Sequence, residues 1–149
     1  MDKKIISYNK RWNHLTAEIE AAYHDASARL GISDSVSIIL YTAYLGGGSC
    51  PLKEICMMSG KKKQTLNSAL RKLENDGMVY LKAVDGKKKS VCLTEKGKIF
   101  SEKTVKKIIR AENEILSSWT QEERRIYIEL TERFLTGLKE KTNRFDTEP

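Results

Sequence analysis

What this sequence has little of narrows its reading first. None of its 149 residues lies in an apolar run approaching the ~20 positions of a membrane span. The lysine-dotted start, Met1 to Lys4 and then Ile5, Ile6, Ser7 and Tyr8, lacks the long apolar stretch of a signal peptide. A cytoplasmic protein with no membrane partner is therefore expected. Cysteines number three, Cys50, Cys56 and Cys92, without Cys-x-x-Cys spacing, which argues against a disulfide framework and a zinc site. The two histidines, His14 and His24, lie ten apart on one expected helix with no carboxylate or cysteine partner at ligand spacing, so no metal is expected. Gly46-Gly47-Gly48 is not followed by the Lys-Ser/Thr of a phosphate loop, and no set of nucleophile, base and orienting group is visible. The chain reads as a non-enzyme without a cofactor. It has no repeats or low-complexity linkers, and its length suits one domain spanning 1–149.

Positive charge is abundant, and it is unevenly placed. The formal net charge is +7. Residues 53–110 hold 16 Lys or Arg against six acids, a net +10, and the remainder carries −3. A segregated basic segment suits a polyanion, because each phosphate it neutralises releases condensed counterion.

Periodicity supplies the elements. From Ile5, apolar residues at Tyr8, Trp12, Leu15, Ile19, Tyr23, Ala26 and Leu30 recur every three or four positions, the pattern of a long amphipathic helix ended by Gly31. Ser33 is a suitable N-cap for a second helix with Val36, Ile39, Leu40 and Ala43 inward. Pro51 suits the first turn of a short third helix that stops near Ser59-Gly60. A fourth, from about Lys62 to Asn75, carries Leu66, Ala69, Leu70 and Leu73 on one face; with the third it makes a helix-turn-helix. After Gly77 the period falls to two. Val79 and Leu81, then Val91 and Leu93, alternate with Tyr80, Lys82, Ser90, Cys92 and Thr94, which predicts a β-hairpin turning around Asp85-Gly86. Thr94 can cap a fifth, long helix through Val105, Ile108, Ile109, Ile115 and Leu116. Thr120 opens a sixth with capping-box spacing to Glu123 and a stripe of Ile126, Leu130, Phe134 and Leu138. The polar tail from Thr142 onward is expected to fray.

The fold class is thus mainly α with a small β-hairpin. A winged helix-turn-helix core at about 33–93 is flanked by long helices at about 5–30 and 95–141. This order resembles the MarR family of winged-helix regulators along nearly the whole chain. The most specific stretch is Leu73-Glu74-Asn75-Asp76-Gly77-Met78-Val79, then Asp85-Gly86-Lys87, then Val91-Cys92-Leu93-Thr94-Glu95-Lys96-Gly97. It is close to the family's Leu-Glu-x-x-Gly-Leu-Val, wing and Leu-Thr-x-x-Gly pattern. The resemblance implies a homodimer interlocked through its terminal helices, winged domains on successive major grooves, and a repressor released by a small-molecule effector or by oxidation. It departs from the family in two places. Lys87 stands where the wing usually has an arginine, and an ammonium lacks the planar fork that reads a narrow groove. The fourth helix starts at a lysine where Ser or Thr is usual, which opposes the helix dipole unless phosphate lies there.

On the fourth helix the apolar face sends Lys63, Gln64, Asn67, Ser68 and Arg71 outward. Gln and Asn can pair with adenine and Arg with guanine, so these are the candidate readers of double-stranded DNA. Lys61, Lys62, Lys87, Lys88 and Lys89 are assigned to phosphates. Ile5, Tyr8 and Trp12, with Ile126, Leu130, Phe134 and Leu138, are assigned to the dimer interface, and Trp119 to the core. Candidates for an effector pocket are Tyr23, Tyr41 and Tyr44. Cys56 is expected to be buried, Cys92 to alternate away from Val91 and Leu93, and Cys50 to be the thiol best placed for a stabilised thiolate. The competing readings are a winged-helix adaptor for proteins, which has no need of lysines on both helix and wing, and a thiol-based redox regulator.

Overall fold

The computed structural model describes residues 1–145 and places seven helices and three strands among them. Helix α1 (Lys3–Arg29) starts two residues before the apolar pattern because Asp2 caps it, its carboxylate accepting from the Lys4 amide at 2.8 Å. Its C-cap is Leu30, and the chain turns out through Gly31 at φ +71°. Helix α2 (Asp34–Leu45) is capped by Ser33, whose hydroxyl accepts from Val36 N–H at 3.2 Å. Strand β1 (Ser49–Pro51) follows, then α3 (Leu52–Ser59), α4 (Lys63–Asn75), β2 (Val79–Asp85), β3 (Lys88–Leu93), α5 (Glu95–Lys103), α6 (Val105–Ser117) and α7 (Gln121–Thr142). No helix among the described residues is long and apolar enough to cross a membrane.

The chain divides into two compact units, Met1–Ile109 and the residues from Arg110 on. In the first, Val36, Ile39, Leu40 and Ala43 of α2 share a core with Leu52, Ile55, Leu66, Ala69, Leu70 and Leu73 of α3 and α4. Val79, Val91, Leu93 and Val105 complete it. The sheet has the order β1-β3-β2, all antiparallel.

Three features depart from the sequence reading. Strand β1 was not foreseen, since Gly-Ser-Cys-Pro has no strand pattern. It exists because Gly46 permits a tight return, a Cβ there falling 2.2 Å from the Ser49 carbonyl oxygen, and because Ser49–Pro51 pair with Cys92, Val91 and Ser90. With β1 on its far side β3 is the central strand, so Cys92 is buried along with Val91 and Leu93 instead of alternating outward. The single long fifth helix is two, α5 and α6. They part at Thr104, whose hydroxyl donates to the Phe100 carbonyl at 2.7 Å and whose backbone leaves the helical region at φ −119°, ψ −93°.

The junction of β2, β3 and α5 explains the Leu-Thr-x-x-Gly stretch. The Thr94 hydroxyl accepts from Gly97 N–H at 3.0 Å and donates to the Gly77 carbonyl at 2.6 Å. A Cβ on Gly97 would lie 1.9 Å from the Met78 carbonyl oxygen, so only glycine lets α5 start this close to β2.

In the second unit, Thr120 and Glu123 form the expected capping box at 3.1 and 2.7 Å. Arg124 donates to the Leu116 and Trp119 carbonyls, at 2.7 and 2.8 Å, and so satisfies backbone at the end of α6. Trp119 is half-buried, edge-on to Tyr127 with ring centroids 5.2 Å apart, and not a core residue. No residue of α7 is buried. Helix α7 ends at Thr142 and Asn143–Phe145 continue as a turn; residues 146–149 of the expected tail lie outside the described residues.

Candidate nucleic-acid interface

Helix α4 is fixed from behind and open in front. Leu66, Ala69, Leu70 and Leu73 are buried, and at about 100° per residue Gln64, Ser68 and Arg71 fall close to the line opposite them. All three are exposed, as are Lys62, Lys63 and Thr65. Asn67 falls to one side of that line and is half-buried. Expected to face outward with the others, it sits instead on the shoulder of the stripe. Thr65, in the first turn, was not foreseen as part of this surface; its position one residue before buried Leu66 was the available signal.

The start of α4 is basic and uncapped. Its N-cap is Lys62, with no side-chain hydrogen bond to the free amides of the first turn. The approach is set locally. The Ser59 hydroxyl donates to the Cys56 carbonyl at 3.2 Å and accepts from Lys61 N–H at 3.0 Å, and Gly60 takes φ +62° between them. Three lysines thus surround the positive end of a helix dipole, an arrangement that disfavours the free protein and favours an anion.

The hairpin closes through Gly86-Lys87, one residue later than expected, with Asp85 paired to Lys88 as the last rung. Gly86 has φ +51° and among the described residues no non-glycine has positive φ, Lys87 included, the sign pattern of a type II′ turn. Lys87 therefore occupies the tip, with Lys88 and Lys89 at the start of β3, all exposed. Lys82, opposite Ser90 on β2, is exposed as well, a fourth lysine on the ribbon that the alternation with Leu81 already set apart from the core. Among the described residues none of Lys61, Lys62, Lys63, Arg71, Lys87, Lys88 or Lys89 is in an ion pair.

The other candidates divide. Ile5, Tyr8 and Trp12 on α1, and Ile126, Leu130, Phe134 and Leu138 on α7, are exposed in the single chain. Tyr41 and Tyr44 pack against the core of the first unit, whereas Tyr23 is exposed. Cys56 is half-buried, α3 turning it to the edge of the core. Cys50 is buried in β1, and burial first, then the nearby Glu54 and Cys92, push its thiol up to about 11. That overturns the expectation of a stabilised thiolate there. Each histidine does have a carboxylate neighbour, contrary to the sequence reading: His14 with Glu18 at 3.1 Å, and His24 with Asp34 at 2.8 Å, the first an i,i+4 neighbour and the second brought in by the α1–α2 turn. No group of three potential metal ligands occurs among the described residues.

No protein-family model and no curated protein sequence matches this chain. Solved structures do. A MarR family regulator from Neisseria meningitidis superposes with a TM-score of 0.75 at 19% identity, covering 98% of this chain and 99% of its own. NadR in complex with 4-hydroxyphenylacetate gives 0.64 at 16% identity, covering 85% and 91%. The MepR–DNA complex of S. aureus gives 0.63 at 18% identity, covering 88% and 97%.

Proposed function

From the premise that this chain has the MarR-type winged-helix fold, we propose that it is a sequence-specific, double-stranded DNA-binding transcriptional regulator and not an enzyme. It works in the cytoplasm as a homodimer on a pseudo-palindromic operator, as a repressor answering to a small-molecule effector. The observation that carries the reading is α4: a helix anchored by a fully buried Leu66, presenting Gln64, Ser68 and Arg71 outward, and beginning at an uncapped, lysine-ringed N-terminus. Gln64 and Arg71 suit base edges, with Asn67 at their shoulder; Lys61, Lys62 and Lys63 suit phosphates. Lys87, Lys88 and Lys89 form the wing contact with the backbone. Dimerisation through α1 and α7 is supported by their exposed apolar stripes. DNA and effector are supported by the MepR and NadR neighbours, one solved with DNA and the other with 4-hydroxyphenylacetate.

Binding to a duplex of arbitrary sequence, followed by fluorescence anisotropy across a salt series, tests the charge part of the reading. Wild-type protein should bind with a steep negative salt dependence. Replacing Lys87, Lys88 and Lys89 together by Ala should weaken binding and flatten the log–log slope by about 0.9 for each phosphate no longer neutralised. Unchanged affinity and slope would mean that the hairpin is not a DNA-binding wing.

A further inference from the structure

Helix α3 carries sulfur on the side that meets solvent. Leu52 and Ile55 anchor it in the core, and its last turn presents Met57 and Met58, 67% and 47% exposed. Of the other methionines, Met1 is the chain terminus and Met78 is half-buried against the core. The thiols, by contrast, are withdrawn: Cys50 and Cys92 are buried, and Cys56 is half-buried at the edge of the core. With its thiol pushed up to about 11, Cys50 is a thiolate in only about one molecule in ten thousand at neutral pH, and the thiolate is the nucleophilic form. A thioether has no proton to lose, so access alone governs its oxidation.

We infer that Met57 and Met58 are a site of reversible oxidation by hypochlorous acid, and that their oxidation lowers the affinity for DNA. The second half rests on the DNA-binding reading above. A sulfur lone pair takes the chlorine of hypochlorous acid as the O–Cl bond breaks and hydroxide leaves. Water then adds to the sulfur, and chloride and two protons depart, one of them neutralising the hydroxide. Sulfur loses two electrons and chlorine gains them. The product is the sulfoxide, which methionine sulfoxide reductase reverses. Position supplies the consequence. The corner between α3 and α4 is held by Gly60 N–H donating to the Met57 carbonyl at 3.4 Å, and by the Ser59 hydroxyl between the Cys56 carbonyl and Lys61 N–H. Directly after it come Lys61, Lys62 and Lys63 and the first-turn amides of α4, which Lys62 leaves uncapped. A sulfoxide replaces an apolar sulfur with a strong acceptor within a few residues of these donors, and so introduces a competitor for the phosphate they are assigned to bind.

The test treats the full chain with limiting hypochlorous acid, quenches with free methionine, maps the added oxygen by mass spectrometry and titrates a duplex of arbitrary sequence. Oxygen should appear on Met57 and Met58 ahead of Met78 and the three cysteines, and affinity should fall about tenfold, the value of one charge-assisted hydrogen bond. Methionine sulfoxide reductase with its reductant should restore binding, whereas dithiothreitol alone, which reverses thiol oxidation only as far as sulfenic acid or disulfide, should not. Replacing both residues by leucine, Met57→Leu with Met58→Leu, keeps size and helix preference at exposed positions. This variant should bind like wild type before treatment and keep its affinity afterwards, which also excludes Met1 as the responsive residue. Oxygen found first on a cysteine, recovery with dithiothreitol alone, or an equal loss of affinity in the leucine variant would overturn the inference. Oxidised Met57 and Met58 with undiminished binding would overturn its regulatory half. Failure of the untreated wild type to bind would remove the DNA-binding reading and that half with it, whereas the oxygen map tests the site by itself.

Discussion

Helices α4 and α7 carry apolar residues at the same three-to-four spacing and meet opposite fates. On α4, Leu66, Leu70 and Leu73 are sealed into the core; on α7, Ile126, Leu130, Phe134 and Leu138 stay exposed and no residue is buried. Helix α1 behaves like α7, with Tyr8, Trp12 and Ile19 open and only Ser27 buried. Periodicity therefore defines a helix and its sticky face, while the covering of that face depends on what the chain brings against it. Where the chain covers it, the polar side becomes a working surface held by a fixed back. Where it does not, the apolar side is itself the surface that calls for a partner, here assigned to a second copy of the chain.

Substitutions on the two helices should break the comparison most visibly. Leu66→Ala removes a fully buried side chain and should cost about 2–5 kcal/mol of unfolding free energy, whatever the protein concentration. Leu130→Asp on α7 should leave the winged core folded, move the mass in light scattering from dimer to monomer, and lower a concentration-dependent Tm. Identical, concentration-independent losses from both variants would erase the distinction between core and interface.

A smaller effect is expected where α5 meets β2. Gly97→Ala forces a methyl against the Met78 backbone carbonyl, which cannot swing aside like a flexible side chain, and should cost about 1–3 kcal/mol in denaturant unfolding. A neutral result would show that the approach of α5 to the hairpin is looser than the geometry indicates.

The smallest effect concerns the clasp between α1 and α2. The hydrogen bond to Asp34, then its charge, raises the pKa of His24 above the ordinary 6.5, against desolvation and with a lesser contribution from Asp25. Because the folded value is the higher one, this contribution to stability is complete below 6.5 and is lost as pH rises through the folded pKa. Asp34→Asn should bring the NMR titration midpoint of His24 back toward 6.5, and an unmoved midpoint would exclude Asp34 as the cause. The pair is exposed, so the change in overall stability should be slight.

Local signals in the chain were read correctly where residues near in sequence sufficed: Ser33 and Thr120 as caps, Gly31 after α1, the apolar face of α4 and the hairpin as an element. Features that depend on distant partners were not legible. Ser49–Pro51 become a strand only because β3 lies beside them, and Cys92 is buried only because β1 makes β3 central. The break at Thr104 lies in its backbone, at φ −119° and ψ −93°, which spacing of apolar residues does not register. In the candidate interface the stripe of Gln64, Ser68 and Arg71 was legible from the buried face. Asn67 was grouped with that stripe although the same 100° spacing sets it to one side, where it is half-buried.

The central claim is that α4 reads sequence, and its most direct measurement uses duplexes selected from a genomic DNA pool by the wild-type protein. Gln64→Ala and Arg71→Ala leave the buried face untouched, so each variant should fold and dimerise as before. On the selected duplex each should lose about 1–3 kcal/mol of binding free energy while affinity for a random duplex changes little, and the selected sites should contain half-sites about 10 base pairs apart. Equal losses on both duplexes would place these side chains on phosphates, and no loss on either would take α4 out of the groove.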